Sequence, residues 1–390
     1  MMRVTVVVLD SVGVGDAPDA ARFETEGSNT LAHTADWTQG VDVPNMEKLG
    51  LGKVHPTLKI DSREQAIGCY GAMCEVSNAI DSTSGHWEMM GLPVKEPFPT
   101  YPDGFPPEVI RPLEESIGRG ILGNKPASGT EIIEELGQKH LDSGDPIVYT
   151  SADSVFQVAA HEDVIPVEDL YDICRTARKI LTGNHAVGRV IARPFVGSPG
   201  NFNRTHRRKD FTLDPPGRTV LDDLNEAGYP VYSVGKINQI FSGQGITQAW
   251  KTKDNQEAVE RTNTLLEQKH ENCFIFTNLV DFDMRYGHRN DPSGYAQALE
   301  AWDDRLGNLL ETLETDDLLI ITADHGTDPT TDSTDHSREL VPLLVYGPGI
   351  RQDVDLGVRI GFHDLGQTIL DCYNLERRLE SQSFLPEITN

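Results

Sequence analysis

Five short apolar runs divide the chain, at residues 4–9, 231–234, 273–280, 318–322 and 342–346. Each is dense in Val, Ile, Leu or Phe, the pattern of a strand buried on both faces. Between them, residues 218–227, 256–269, 294–313 and 365–375 carry helical periodicity. Alternation of this kind predicts an α/β core, a mostly parallel sheet covered by helices on both faces. The middle of the chain breaks that rhythm. Prolines 97, 99, 102, 106 and 107 punctuate one boundary and Pro215-Pro216-Gly217 the other. Strand candidates at 146–150 and 188–195 and a helix candidate at 168–181 lie between. The prediction is an α+β domain at 96–216, inserted into a discontinuous core of 1–95 and 217–390.

Three apolar runs end in metal-binding residue types. The first stops at Asp10-Ser11 and the third at Asp281-Phe282-Asp283, with His288 downstream. The fourth stops at Thr322-Ala323-Asp324-His325-Gly326, and His336 follows eleven residues after His325. Open α/β sheets gather their chemistry where strands run out into loops. Carboxylate and imidazole suit Zn, Mn or Fe. On a helix, Asp283 and His288 would be splayed by about 140°, whereas a loop turns both inward. Asp10, Asp283, His288, Asp324, His325 and His336 make six ligands, enough for two ions with three each.

A candidate nucleophile lies between the first and later pieces. Asp81-Ser82-Thr83-Ser84-Gly85-His86-Trp87-Glu88 sets three consecutive hydroxyls ahead of a helix-forming stretch. A hydroxyl needs a base or a metal to become nucleophilic, and amides at a helix start hold phosphate. A capping Ser or Thr fits the same turn, and one hydroxyl can serve both purposes.

These segments resemble the phosphopentomutase family of the alkaline phosphatase superfamily. The likeness is carried by residues 10–20, Ser84-Gly85-His86-Trp87-Glu88, Asp281-Phe282-Asp283 with Tyr286-Gly287-His288-Arg289, residues 149–157, and Thr322-Ala323-Asp324-His325-Gly326. It runs in order from Val4 to about Tyr373. It implies an alkaline-phosphatase-like core with a cap domain, and an isomerase that moves phosphate between the 1- and 5-positions of ribose or deoxyribose. The route runs through a phosphoserine and a 1,5-bisphosphate.

Residue by residue, the resemblance makes Ser84 the phosphorylated hydroxyl, where the family often has threonine, with Thr83 as the neighbouring alternative. It puts Asp10, Asp324 and His325 around one metal and Asp283, His288 and His336 around the other. It also implies sugar contacts from Ser151 and Asp153, two divalent ions (manganese first, although the ligand set admits zinc), and a bisphosphosugar primer such as glucose 1,6-bisphosphate. Ala79-Ile80 stands where the family tends to carry Gly-Lys. A hydrolase of the same superfamily, phosphomonoesterase or phosphodiesterase, is the alternative reading.

Charge narrows the partners. With 34 basic against 61 acidic residues, the net charge is −27, which opposes binding to nucleic acid. An anionic phosphosugar then needs a local positive cleft. Arg189, Arg193, Arg204, Arg207, Arg208 and Lys209 cluster in the inserted region, and Lys236 follows the next strand candidate. Arg193, Arg204 and Lys236 are the candidates for holding phosphate, whereas Arg207-Arg208-Lys209 reads as a solvated basic loop. The acidity also suggests solvation in high salt. No apolar run is long enough to cross a membrane and the start does not read as a signal peptide. Five scattered cysteines (69, 74, 174, 273 and 372) suit free thiols. The expectation is a cytoplasmic enzyme.

Overall fold

The computed structural model describes residues 3–56, 60, 65–151, 154–268 and 272–389. The chain forms two compact units, Met1–Glu96 with Pro215–Asn390, and Pro97–Asp214. Strands β1 (Arg3–Leu9) and β2 (Cys69–Cys74) precede the inserted unit. That unit carries β3 (Leu122–Pro126), β4 (Ile147–Thr150), β5 (Val155–His161), β6 (Arg189–Ser198), β7 (Asn201–Arg204) and β8 (Lys209–Thr212). The chain returns with β9 (Val231–Val234), β10 (Gln248–Trp250), β11 (Phe274–Leu279), β12 (Asp317–Thr322), β13 (Val341–Tyr346) and β14 (Val354–Ile360).

In the larger unit these strands form one sheet in the order β10-β9-β11-β1-β12-β13-β2-β14. Every neighbouring pair is parallel except those that involve β13. The central strands β1, β11 and β12 are buried along their whole length. This is why they read as unbroken apolar runs instead of alternating ones. The mostly parallel sheet expected from the sequence is therefore present, with β2, β10 and β14 added to it. β14 is an edge strand with exposed Val358 and Ile360, and β10 has three residues; neither presents the doubly buried pattern.

The inserted unit is a separate α+β body. Its sheet runs β3-β4-β5-β6-β7, with β8 pairing to β6, and mixes parallel and antiparallel neighbours. Helix Val167–Ile180 packs Leu170, Cys174 and Ala177 into a core with Phe156, Val158 and Val190. All five cysteines are buried and none forms a disulfide among the described residues. Among the described residues, no helix is long and apolar enough to cross a membrane.

Candidate metal centre

Register decides where the ligands emerge. β1 lies between β11 and β12, parallel to both, with Leu9 opposite Leu279 and Val8 opposite Thr322. Their C-terminal ends therefore open on one edge, and Asp10, Asp283 and Asp324 leave the sheet together. Asp10 and Asp324 are fully buried. The turn after Asp10 is tight: Ser11 adopts φ 81°, and its N–H donates to Asp324 Oδ1 at 3.1 Å. Asp283 sits in a wide π-type turn (Phe282–Tyr286) and His288 in the 3-10 turn that follows (Gly287–Arg289). Irregular turns of this sort recur at functional sites.

Each of the three imidazoles has Nδ1 against a backbone carbonyl. For His325 the partner is Gly326 O at 3.1 Å, for His336 Ile80 O at 2.8 Å, and for His288 Thr334 O at 2.7 Å. A carbonyl only accepts, so Nδ1 carries a proton and Nε2 is the nitrogen turned to the centre. His288 Nε2 and His336 Nε2 lie 3.3 and 3.4 Å from Asp283 Oδ1. His325 Nε2 lies 3.5 Å from both Asp10 Oδ1 and Asp324 Oδ2. Asp10, Asp324 and His325 thus form one set of converging donors. His325 also reaches the other set, since Asp283, His325 and His336 each bring a ligand atom within 4.8 Å of the others.

Asp283 Oδ1, Asp324 Oδ2, His325 Nε2 and His336 Nε2 are buried and have no hydrogen-bond partner among the described residues. Four such atoms facing one another are expensive to leave unsatisfied. A pair of divalent cations bound by carboxylate and imidazole fits them chemically.

The electrostatics point the same way. Burial, with Asp324 beside it, pushes the Asp10 carboxyl up to about 7, although Lys236 works against the shift. Burial drives the His325 imidazole down to about 4. Burial would also lower His336, yet the Asp283 carboxylate 3.4 Å away raises it to about 9. Burial would raise Asp324, but the adjacent His325 and His86 imidazoles and the Ser11 N–H hold it below the usual carboxylate range. Protons and cations therefore compete for one small volume.

The hydroxyl at the centre belongs to Ser82, not to Ser84. Helix Ser82–Met89 opens with a capping box. Asp81 Oδ1 accepts from the N–H groups of Thr83 (2.7 Å) and Ser84 (3.1 Å). Ser84 Oγ accepts from Asp81 N–H at 3.1 Å and donates to Asp81 O at 3.0 Å. The third helical position folds back onto the cap, so the buried Ser84 hydroxyl is committed there. The first position projects instead: Ser82 Oγ lies 3.4 Å from Asp10 Oδ1 and accepts from Lys236 Nζ at 3.0 Å. Thr83 is turned about 100° away from Ser82 around the helix. The spacing Asp81-x-x-Ser84 was the available signal, since it is that of a capping box.

The rest of the motif builds the scaffold. A Cβ on Gly85 would lie 2.4 Å from Asp324 O, so only glycine lets the helix press against the ligand strand. Trp87 Nε1 donates to Ile240 O at 3.1 Å. The buried Glu88 carboxylate accepts from the N–H groups of Val76, Ser77 and Phe362. Lys236, expected at phosphate, is beside Ser82 and 3.8 Å from Asp10 Oδ2.

In the inserted unit the basic residues divide into two kinds. Arg207 pairs with Glu162, Arg208 with Asp210 at 2.7 Å, and Lys209 Nζ sits 4.9 Å from the Tyr171 ring centre. Arg193 and Arg204 have no carboxylate within 4.0 Å among the described residues. Arg193 donates from Nε to Gln157 Oε1 at 3.1 Å. Arg204 lies near Gly129, which opens helix Gly129–Ser143, and near the buried Tyr149 hydroxyl, which has no partner among the described residues. Sequence reasoning passed over Tyr149, whose signal is only a tyrosine in an apolar run. Ser151 is half-buried at the end of β4; Asp153 lies outside the described residues.

Comparison with known proteins bears on this geometry. Residues 2–377 match the Metalloenzyme superfamily. The chain is 58% identical over 388 residues to the phosphopentomutase of Carboxydothermus hydrogenoformans, covering 100% of both chains. It is 57% identical to that of Caldanaerobacter subterraneus subsp. tengcongensis, over 100% of this chain and 98% of the relative. PH0037 from Pyrococcus horikoshii shares the fold at a TM-score of 0.51 and 16% identity, over 97% of this chain and 99% of that one. With a buried Asp/His cluster at the strand ends and full-length likeness of this order, the chain belongs to the phosphopentomutase family of the metalloenzyme superfamily.

Proposed function

We propose that this chain interconverts pentose 1-phosphates and 5-phosphates, with Ser82 carrying the phosphoryl group between the two positions. The observation that carries this reading is the Ser82 hydroxyl, 3.4 Å from Asp10 and hydrogen-bonded by Lys236, at the edge of the Asp/His cluster. Asp10, Asp324 and His325 would hold one divalent ion and Asp283, His288 and His336 the other, with manganese as the first choice. When bound, the ions supply positive charge to the attacking and leaving oxygens of an in-line displacement.

Phosphorylated Ser82 gives its phosphoryl group to the free hydroxyl of the sugar monophosphate. The P–Oγ bond breaks, a P–O bond to the sugar forms, and the hydroxyl proton ends on Ser82 Oγ. The 1,5-bisphosphate then returns its other phosphoryl group to Ser82, and the proton goes back to the sugar oxygen. Lys236 donates a hydrogen bond to Oγ and stabilises negative charge as that oxygen leaves. A primer such as glucose 1,6-bisphosphate charges Ser82 at the start. Arg193 and Arg204, neither with a carboxylate within 4.0 Å among the described residues, recognise the phosphate not in transfer, and Ser151 and Asp153 the sugar hydroxyls. Five cysteines with no disulfide among the described residues support a cytoplasmic setting.

The test is a phosphorus NMR time course of the manganese-loaded protein with ribose 1-phosphate and a trace of glucose 1,6-bisphosphate. Growth of ribose 5-phosphate with little inorganic phosphate supports the mutase. Inorganic phosphate as the main product would replace it with a hydrolase.

A further inference from the structure

We propose that His86 and Asn278 form a positioning pair that locks Ser82, Asp10 and Asp324 into one arrangement. The inference rests on the reading of Ser82 and of the metal ligands given above.

His86 is completely buried. One helical turn beyond Ser82, its Nδ1 lies 2.7 Å from Ser82 O and 3.2 Å from Asp324 Oδ2. Both partners only accept, so Nδ1 carries the proton. The hydrogen bond runs to Ser82 O; Asp324 Oδ2, off that line, is left open toward the centre.

The other ring nitrogen, Nε2, lies 3.3 Å from Asn278 Nδ2. The orientation of that amide follows from its second partner, because Asn278 Nδ2 also stands 2.9 Å from Asp10 Oδ2. A carboxylate oxygen calls for the NH2 group there. Asn278 therefore spends one N–H on Asp10 and one on the His86 lone pair, and the imidazole is the neutral Nδ1–H tautomer.

The result is a closed relay of buried groups: Asp10, Asn278, His86, then Ser82 and Asp324. It joins four segments distant in sequence, the ends of β1, β11 and β12 and the Ser82–Met89 helix. Phe276, two residues before Asn278 on the same strand face, packs its ring 5.7 Å from that of His86 and fixes the ring plane. Gly85 allows the approach, since any side chain there would collide with Asp324. The relay sets an Asn278 N–H on Asp10 and holds the His86 ring on Ser82 O, 3.2 Å from Asp324 Oδ2, and so fixes both carboxylates before a cation arrives. Neither residue needs to touch substrate.

Asparagine and glutamine separate the two ends of the imidazole. His86→Asn keeps an N–H near the Nδ1 position; His86→Gln reaches only the Nε2 position. Mn2+ binding to the full-length chain, read from the EPR signal of free Mn2+, should weaken by ~10–100-fold in His86→Gln, the range for losing such a partner. In His86→Asn, which keeps the Nδ1-side donor and loses only the link to Asn278, the loss should be several-fold smaller. kcat should follow Mn2+ affinity, while the KM for ribose 1-phosphate stays unchanged in both. Asn278→Leu, nearly isosteric but without donors, should resemble His86→Gln and serves if a His86 variant does not fold. Equal loss in His86→Asn and His86→Gln, or wild-type Mn2+ affinity in His86→Gln and Asn278→Leu, would overturn the proposal. Ser82→Ala and Asp324→Ala run alongside. Turnover in the first or undiminished metal content in the second would sink the underlying reading, whereas failure confined to the His86 and Asn278 variants would sink only the relay.

Discussion

Ser82 Oγ stands 3.4 Å from Asp10 Oδ1, while the Ser84 hydroxyl, two residues on, is bonded to the Asp81 backbone on both its donor and acceptor sides. The two serines should therefore respond differently to truncation. Ser82→Ala should abolish the phosphoenzyme and turnover and leave the metal content intact. Ser84→Ala should keep turnover and lose about 1 kcal/mol of stability, the usual magnitude for a broken cap. Intact-mass measurement after incubation with glucose 1,6-bisphosphate, together with thermal melts, distinguishes them. A phosphorylated Ser82→Ala protein would return the role to Ser84 or Thr83.

Most of the core was legible because its strands are buried on both faces. Runs such as Leu318 to Ile321 have no other stable use in a chain of this kind, and three of the five ended on a candidate ligand. β2 and β14 were not legible. Cys69–Cys74 mixes Gly and Ala among its apolar residues, and β14 alternates buried Leu356 and Arg359 with exposed neighbours. The six converging Asp and His side chains were readable from residue type and from their place at or beyond strand ends. The serine assignment failed for a different reason. Choosing among three consecutive hydroxyls depends on helix phase and on which one the cap consumes, and phase is fixed by the N-cap residue Asp81. The shared reach of His325 toward both donor sets, and the role of His86 behind them, depend on contacts between β1, β11, β12 and the Ser82–Met89 helix, which no local pattern encodes.

Asp324 lies at the crossing of several interactions: Ser11 N–H, the His325 imidazole and the His86 imidazole all converge on its carboxylate. Asp324→Asn removes a charge and a ligand atom without changing size. Bound metal, measured by plasma mass spectrometry after desalting, should fall well below two per chain. Turnover should fall with it, by ~10²-fold or more if the variant loses charge stabilisation equivalent to one strong donor. Unchanged stoichiometry would break the ligand assignment.

The metal-free protein should lose stability as pH rises through the neutral and alkaline range. Asp10 titrates at about 7 in the fold against 3.8 ordinarily, and His336 at about 9 against 6.5. Both folded-state values are raised, so the folded chain holds protons that the unfolded chain has already released. Stability from His336 is fully present below pH 6.5 and is lost as pH passes 9; Asp10 loses its share between 3.8 and 7. Cation binding requires both groups deprotonated. The gap in melting temperature between manganese-loaded and EDTA-treated protein should therefore widen from pH 6.5 to 9. A constant gap would mean that these groups do not titrate at the metal centre.

The net charge of −27 sets a final expectation. Like charges in such excess repel one another in the compact state, and salt screens that repulsion over a Debye length of only ~3 Å at 1 M. The buried Asp/His cluster is screened far less than the surface, so added salt should relieve the surface without dissolving the centre. Activity and melting temperature of the manganese-loaded enzyme should be held or raised when KCl is brought from ~0.1 to ~1 M. Substrate attraction gives the opposing effect, because screening also weakens arginine–phosphate contacts and raises KM. Reading kcat and KM separately across the titration resolves the two. If kcat and melting temperature fall sharply together, the acidic surface is not an adaptation to salt and its repulsion does not limit the stability of this fold.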